Sequence, residues 1–491
     1  MTTYPRLLIW LVVLVCAPVL RADPINESLA QFLTQPKFEG ALWSVKLVSL
    51  EDGRVMFEHQ PKLRMSPASN SKLYVGALAL ARLGGDHRIR TPLLATAAVQ
   101  PDGTLPGDLV VAGRGDPSWG AREKKPEFWS VFEPFIAELR RAGVKHIRGD
   151  IVADGTWLRC PPDGASWSVD DLQQDFGAEI SGVTFLDNYV EIRVTPGAQA
   201  GEPCAFDVRE PHSELTFVNR TRTLAPGEKP TVDTRRIFGT RTVEIFGGVA
   251  AGAKPEITEA PVPRPAQWFA ICLKAALERA GIRIDGAARS AVWPEPPIDA
   301  GVALGEIVSP PLRDLVAGFM KPSQNLETDL VFAHLGELQR SDATAADRRS
   351  DTLALDELKR FATEVGIAPN ELIFDEGSGL SRNNLVTADA TVRLLAFMAG
   401  HREAEAFVAS LPVAGEGTLE KRFKGTPAEH NVRAKTGGLR WAANLSGYLT
   451  TTAGERAVFS VLLNRHVAPA GTRARDEVDA VTVLLTRHGR K

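Results

Sequence analysis

The sequence predicts an α+β protein in which a central antiparallel sheet is assembled from both ends of the chain, flanked by helices, and carries a large, mostly β insertion. Three observations predict it. Segments that alternate apolar and polar residues, the period of a half-buried strand, occur near the N-terminus (ALWSVKLVSL, RVMFEH) and near the C-terminus (HNVRAKTGG, AANLSGYLTT, RAVFSVLLNR). Segments of helical period lie between these two groups. Across residues 86–263, short alternating runs take over almost entirely.

In chain order, residues 1–22 read as a secretory signal peptide. Arg6 supplies the positive start, Leu7 to Leu20 is an apolar run, and Ala22 is a small residue at a cleavage point, so the mature chain begins near Asp23. The run is shorter than the roughly 20 residues a membrane-crossing helix needs, so no transmembrane span is expected in the mature chain. Cys16 follows Val15, which is larger than a lipid-attachment motif favours. The expected address is the periplasm or cell envelope.

Residues 23–85 form the N-terminal part of the first domain. Two alternating runs around Glu51-Asp52-Gly53 predict a hairpin. In MSPASNSKLYVGALALARLGG, Ser66 is a candidate N-cap and Pro67 a candidate first helical residue. The helix is apolar nearly all round and should be buried, and Gly84-Gly85 ends it. In 86–263 the segments DLVVAG, HIRGDIVAD, YVEIRVTP, LTFVNRTRT and RTVEIFGG read as strands of one or two small modules, interrupted by one helical pattern, PEFWSVFEPFIAELRRAG. The Pro-rich EAPVPRPAQW marks the exit. Residues 264–491 complete the first domain: helices in FAICLKAALERAG, PLRDLVAGFMKPSQNLETDLVFAHLGEL, ALDELKRFATEVG and TADATVRLLAFMAG, then the C-terminal strands, with a Thr-Ala-Gly-Glu turn joining the last two, and a closing helix in ARDEVDAVTVLLTRHG.

A chain of 491 residues, 44% hydrophobic and 24% charged, can bury a large core without cross-links. Its net charge of −3 gives no reason to expect a nucleic-acid partner. Export would permit a disulfide, and Cys160 and Cys204, in the same middle region, are the natural pair. Cys272 lies in an apolar helical pattern and reads as a core thiol. No Cys or His spacing suits a metal, and no cofactor is expected.

Three short motifs carry chemistry. In Ser69-Asn70-Ser71-Lys72, residues three apart share one helix face, so the Ser69 hydroxyl and Lys72 amine can meet. A serine hydroxyl needs an adjacent base to become a nucleophile, and a buried lysine can serve when its pKa falls. The pattern alone recurs by chance; its place at the head of a buried helix sets it apart, since a solvated lysine has no reason to start one. Ser323-Gln324-Asn325 can aim a hydroxyl and an amide at one point, although serine and asparagine are common turn residues. Lys435-Thr436-Gly437-Gly438 lies in a strand-like run. A lysine and a threonine suit a substrate carboxylate, and glycine allows close approach to the strand. An exposed edge strand with a protective lysine would read the same way. The order of the three motifs is the specific signal.

With MSPASNSK, AGRGDPSW, SPPLRDLVAGFMKPSQNL, FDEGSGLSRNNLVT, LPVAGEGTLEKRFKGTP and VRAKTGG followed by NLSGY, the chain resembles the class C low-molecular-mass penicillin-binding proteins, which are D-alanyl-D-alanine carboxypeptidase/endopeptidases. The resemblance covers most of the mature chain. The separation of 254 positions from Ser69 to Ser323 matches a family whose β-lactamase/transpeptidase-like domain carries large insertions. It implies an acyl-enzyme mechanism on peptidoglycan stem peptides ending in D-Ala-D-Ala, with β-lactams as acylating inhibitors. Ser69 would be the nucleophile, Lys72 its base, Ser323 and Asn325 catalytic partners, and Lys435, Thr436, Gly437 and Gly438 the substrate strand. The Asp375–Asn384 stretch resembles a family loop whose glycines and Arg382 imply a structural role. Two positions depart from the family: Gln324 stands where aspartate is usual, and Gly438 stands where a hydroxyl residue helps hold the substrate carboxylate. A serine β-lactamase or esterase on the same scaffold, and a non-catalytic wall-binding relative, are the alternative readings.

Overall fold

The computed structural model describes residues 24–122 and 125–488, so the expected signal peptide lies outside the described residues. Its central sheet has five strands: β1 (Leu42–Ser49), β2 (Val55–His59), β3 (Arg433–Leu439), β4 (Ala442–Thr450) and β5 (Arg456–Asn464). They run antiparallel in the order β2-β1-β5-β4-β3. The two ends of the chain meet at the β1–β5 pair, whose register runs from Leu42 opposite Asn464 to Ser49 opposite Ala457. This is the sheet that alternation in the sequence predicts, and β3 is its edge.

Among the described residues, eight helices accompany it: α1 (Pro24–Leu33), α2 (Ser71–Leu83), α3 (Leu312–Met320), α4 (Asn325–Glu337), α5 (Ser350–Val365), α6 (Ala388–Ala399), α7 (Ala404–Ser410) and α8 (Ala474–Thr486). One sheet face, with Val45, Leu47, Phe459 and Val461, packs on Leu29 and Leu33 of α1 and on Val478, Val481 and Leu485 of α8. On the other, Val458 and Leu462 meet α2, α3, α5 and α6. The short α1 and α7 have no counterpart in the sequence expectations. Each holds by burying a few residues, Leu29 and Leu33 in α1 and Phe407 in α7, rather than by a long periodic stripe.

The excursion is longer than expected, and more mixed. Its principal sheet has five strands in the order Ala288–Ala291, Ile151–Asp154, Leu109–Ala112, Arg90–Ala95, Val302–Val308. Two of these strands lie beyond the expected exit at residue 263. Ala288–Ala291 pairs in parallel with Ile151–Asp154, and Val302–Val308 pairs antiparallel with Arg90–Ala95. The helix Pro265–Arg279, expected to belong to the first domain, instead buries Trp268, Phe269 and Leu273 in the excursion core beside Leu93, Val111 and Phe185. The chain therefore returns to the central sheet only after Val308. Strands between Tyr189 and Pro261 form a second, all-β unit nested in the first, and their Val190, Ile192, Val243 and Ile245 join the same core.

The expected Cys160–Cys204 pair is corrected: Cys160, Cys204 and Cys272 are all free thiols. Cys204 is buried in the excursion core, whereas Cys160 packs with a separate small cluster against α4.

Candidate active site

The site begins where β4 and β5 pin the chain entering α2. The Asn464 side chain accepts the Ser66 N–H at 2.8 Å, and the Asn444 amide donates to the carbonyls of Ser66 (3.0 Å) and Pro67 (2.8 Å). Ser66 is thus held through its backbone. It is not the N-cap that its residue type suggested, and its hydroxyl is buried with no hydrogen-bond partner among the described residues. Ala68, with φ +47°, turns the chain into a short 3₁₀ segment, Ala68–Asn70, that runs directly into α2. Ser69 sits in this turn, one turn before Lys72.

Every residue of α2 from Ser71 to Leu80 is buried, and Lys72 is fully enclosed. Its amine makes three contacts: Ser69 Oγ at 3.0 Å, Asn325 Oδ1 at 2.7 Å and the Ser378 carbonyl at 2.6 Å. Burial pushes its pKa down to about 8, against the opposing pull of Asp329 and Glu376.

The middle motif is a shaped turn. Ser323 takes a left-handed conformation (φ +75°), Gln324 is extended, and Asn325 opens α4. This reversal sends the Asn325 amide to Lys72 and leaves the Ser323 hydroxyl to accept from Lys435 Nζ at 2.8 Å. Asn325 Nδ2 donates in turn to the Phe176 carbonyl at 3.0 Å. Phe176 belongs to a strap, residues 157–182, that leaves the excursion and packs Leu158 and Ala178 on Leu326, Leu330 and Ala333 of α4.

Lys435 on β3 is fully buried, and burial followed by repulsion from Lys72 lowers its pKa well below the ordinary lysine range. Its carbonyl accepts from Asn70 Nδ2 at 2.9 Å, tying β3 to the Ser69 turn. Thr436 Oγ1 lies 2.9 Å from Thr418 Oγ1. A Cβ on Gly437 would stand 2.4 Å from the Pro67 carbonyl, so only glycine lets β3 and the turn approach this closely. Gly438 is exposed, with open space beside it. Two hydrogen-bonded sets, Ser69 with Lys72 and Asn325, and Ser323 with Lys435, are thus brought side by side by the bond from Asn70 to the Lys435 carbonyl, with Thr436 to Gly438 continuing along the same edge.

Sequence reasoning missed Phe176, Asp329, Glu376 and the carbonyl of Ser378. Asp329 carried a usable signal: it lies four residues after Asn325, on the same face of α4. Among the described residues, no three His, Cys, Asp or Glu side chains converge in a way that would hold a metal ion.

The chain matches the model of the D-Ala-D-Ala carboxypeptidase 3 (S13) family over residues 25–485. It belongs to that family. It is a serine peptidase of the D-Ala-D-Ala carboxypeptidase type. The family includes a D-alanyl-D-alanine carboxypeptidase from Actinomadura sp. (strain R39), 32% identical over 480 residues that cover 95% of this chain and 85% of that protein. Another relative, the D-alanyl-D-alanine carboxypeptidase DacB of Haemophilus influenzae, is 26% identical and covers 88% of this chain and 87% of its own length. The crystal structure of penicillin binding protein 4 from Haemophilus influenzae has the same fold, with a TM-score of 0.77 at 24% identity, covering 95% of this chain and 98% of the other.

Proposed function

We propose that Ser69 is the nucleophile of this peptidase and Lys72 its general base, acting on peptidoglycan stem peptides that end in D-Ala-D-Ala. The observation that carries this reading is the 3.0 Å contact between Ser69 Oγ and an amine wholly enclosed in protein. A neutral amine has two N–H groups and one lone pair. The Asn325 and Ser378 oxygens take the two N–H groups, so the lone pair faces the Ser69 hydroxyl.

In the proposed cycle, Ser69 Oγ attacks the carbonyl carbon of the penultimate D-Ala while its proton passes to Lys72. The N–H groups of Ser69 and Gly438 receive the developing oxyanion. The Ala434 N–H points away from the sheet, donating to the Pro412 carbonyl at 3.0 Å, and the two-residue period of a strand turns Gly438 the same way. The C–N bond breaks as Ser323 passes a proton to the leaving amine and takes in exchange the proton that Lys72 received from Ser69. Water then hydrolyses the ester and restores Ser69. Lys435 and Thr436 hold the terminal carboxylate, and Asn325 orients the substrate amide. Glycine at 438 keeps the backbone donor but removes a hydroxyl contact to that carboxylate, which favours peptides held by more than their terminus, including cross-links cut by an endopeptidase action. We also infer export to the periplasm or cell envelope, on the strength of Arg6 and the apolar run behind it.

Incubation with a fluorescent penicillin followed by peptide mass spectrometry tests the assignment. The adduct is expected on Ser69, lost in Ser69→Ala and nearly lost in Lys72→Ala. A folded protein labelled at another residue would remove the nucleophile from this reading.

A further inference from the structure

Close to Lys72, two carboxylates are buried that the mechanism above does not use. Asp329, on α4, is 4% exposed, as is Glu376 in the loop that follows α5. Asp329 Oδ1 accepts the N–H groups of Gly377 and Ser378, both at 3.0 Å. Glu376 accepts the N–H groups of Ser378 (2.9 Å), Gly379 (2.9 Å) and Ser381 (3.3 Å), together with the Ser378 hydroxyl and the Asn384 amide. Four of the five backbone N–H groups from Gly377 to Ser381 thus end on one of two carboxylates. The loop in turn presents the Ser378 carbonyl to Lys72 and lays Gly379 against the Ser69 turn. A Cβ there would stand 2.0 Å from the Ala68 carbonyl.

Asp329 Oδ2 is buried with no hydrogen-bond partner among the described residues. A structural carboxylate that merely caps a loop has no need of an unsatisfied buried oxygen, which costs free energy unless its charge acts on something nearby. The charged and titratable groups facing this pocket are Lys72 from α2, Lys435 from β3, Glu376 from the loop and the Cys160 thiol from the strap. Asp329 is the larger of the two carboxylate influences on Lys72; burial, followed by the Glu376 charge, raises its own pKa well above the ordinary carboxylate range, and Lys72 and the Ser378 and Gly377 hydrogen bonds oppose that rise and favour its charged form.

We propose that Asp329, with Glu376 beside it, is the counter-charge and positioning residue of Lys72. The two carboxylates fix the loop that orients the amine, and their negative charge holds the proton that Lys72 accepts from Ser69 until Ser323 and the leaving amine take it onward. The inference rests on the reading of Lys72 as base. Neither carboxylate touches substrate.

Asp329→Asn isolates the charge, because the amide oxygen can keep the Gly377 and Ser378 N–H bonds while the NH₂ replaces the unpartnered oxygen. The measurement is the second-order rate of acylation by a fluorescent penicillin against pH, with thermal melting as a control for folding. Removing an anion near a buried amine moves the rising limb of this profile to lower pH, by a shift on the order of one unit. A role confined to loop structure would lower the rate without moving the limb. An unmoved limb in a folded Asp329→Asn, with Lys72→Ala inactive, overturns this proposal and leaves Lys72 as the base. A Lys72→Ala protein that acylates normally overturns both. If Asp329→Asn does not fold, Glu376→Gln carries the same test, with the limb again expected to move down and an unmoved limb counting against the pair.

Discussion

At the scale of single residues, the site is governed by two enclosed amines that compete for positive charge. Lys72 and Lys435 are each stripped of water, and charge on Lys72 disfavours the proton on Lys435, an opposition that the coupling of two like charges makes mutual. In the proposed cycle an arriving substrate carboxylate would resolve the competition. It favours charge on Lys435, and repulsion then favours a neutral Lys72 whose lone pair points at Ser69. This fixes the sign of the pH dependence. If Lys72 is the base, as proposed, its neutral form is the reactive one, so acylation should be slow below pH 7 and rise through a midpoint near 8, where Lys72 loses its proton. Stopped-flow labelling with a fluorescent penicillin across this range measures it. A rate that falls as pH rises over the same interval would mean that the charged amine is the active form. The residues on which this chemistry depends were legible because each motif confines its functional groups to one helical turn or one strand. Glu376 and the Ser378 carbonyl were not, because a carboxylate becomes a brace, and a carbonyl an amine ligand, only through contacts between segments far apart in sequence.

At the scale of elements, what could be read was local and what could not was long-range. The β1–β2 hairpin around Gly53, the buried α2 and the α4 that opens at Asn325 follow from periodicity and turn chemistry. The Ser66 cap failed because the Asn444 and Asn464 side chains, some 380 to 400 residues away, took the backbone of that segment for themselves. The exit at 263 failed for a related reason: parallel pairing of Ala288–Ala291 with a strand that ends at Asp154 leaves no local mark in either segment. The strap is the element where such long-range packing reaches the chemistry. It delivers the Phe176 carbonyl to Asn325, and it is anchored on α4 by Leu158, which is 2% exposed. Leu158→Ala removes that anchor and leaves a cavity, at a cost of about 2–5 kcal/mol. Acylation should slow along with the loss of thermal stability, because Asn325 loses the partner that fixes its amide. A lower melting temperature with an unchanged acylation rate would show that the strap is not part of the working site.

At the scale of the whole molecule, the excursion raises the question of what holds it together, since its nested units could each have been too small to stand alone. The export proposed above would make a covalent staple chemically available, yet Cys160 and Cys204 lie in different clusters, one in the strap against α4 and the other beside Thr223 in the excursion core. Stability there instead comes from one shared apolar core. The aromatic rings of Trp119, Phe132, Phe135, Phe185, Trp268 and Phe269 pack edge-to-face, tilted or stacked at centroid distances between 4.3 and 5.7 Å, and strands of both nested units supply aliphatic neighbours. Burial also pushes the Cys160 and Cys272 thiols up, away from the reactive thiolate. Thiol titration of protein recovered from an oxidising compartment should therefore find the buried thiols of Cys204 and Cys272 silent and the half-buried Cys160 slow in the native state, and all three reactive after denaturation. The melting temperature should be the same with and without a reductant. If denaturation instead frees a single thiol, and reductant lowers the melting temperature, a disulfide rather than the shared core sets the stability of the excursion.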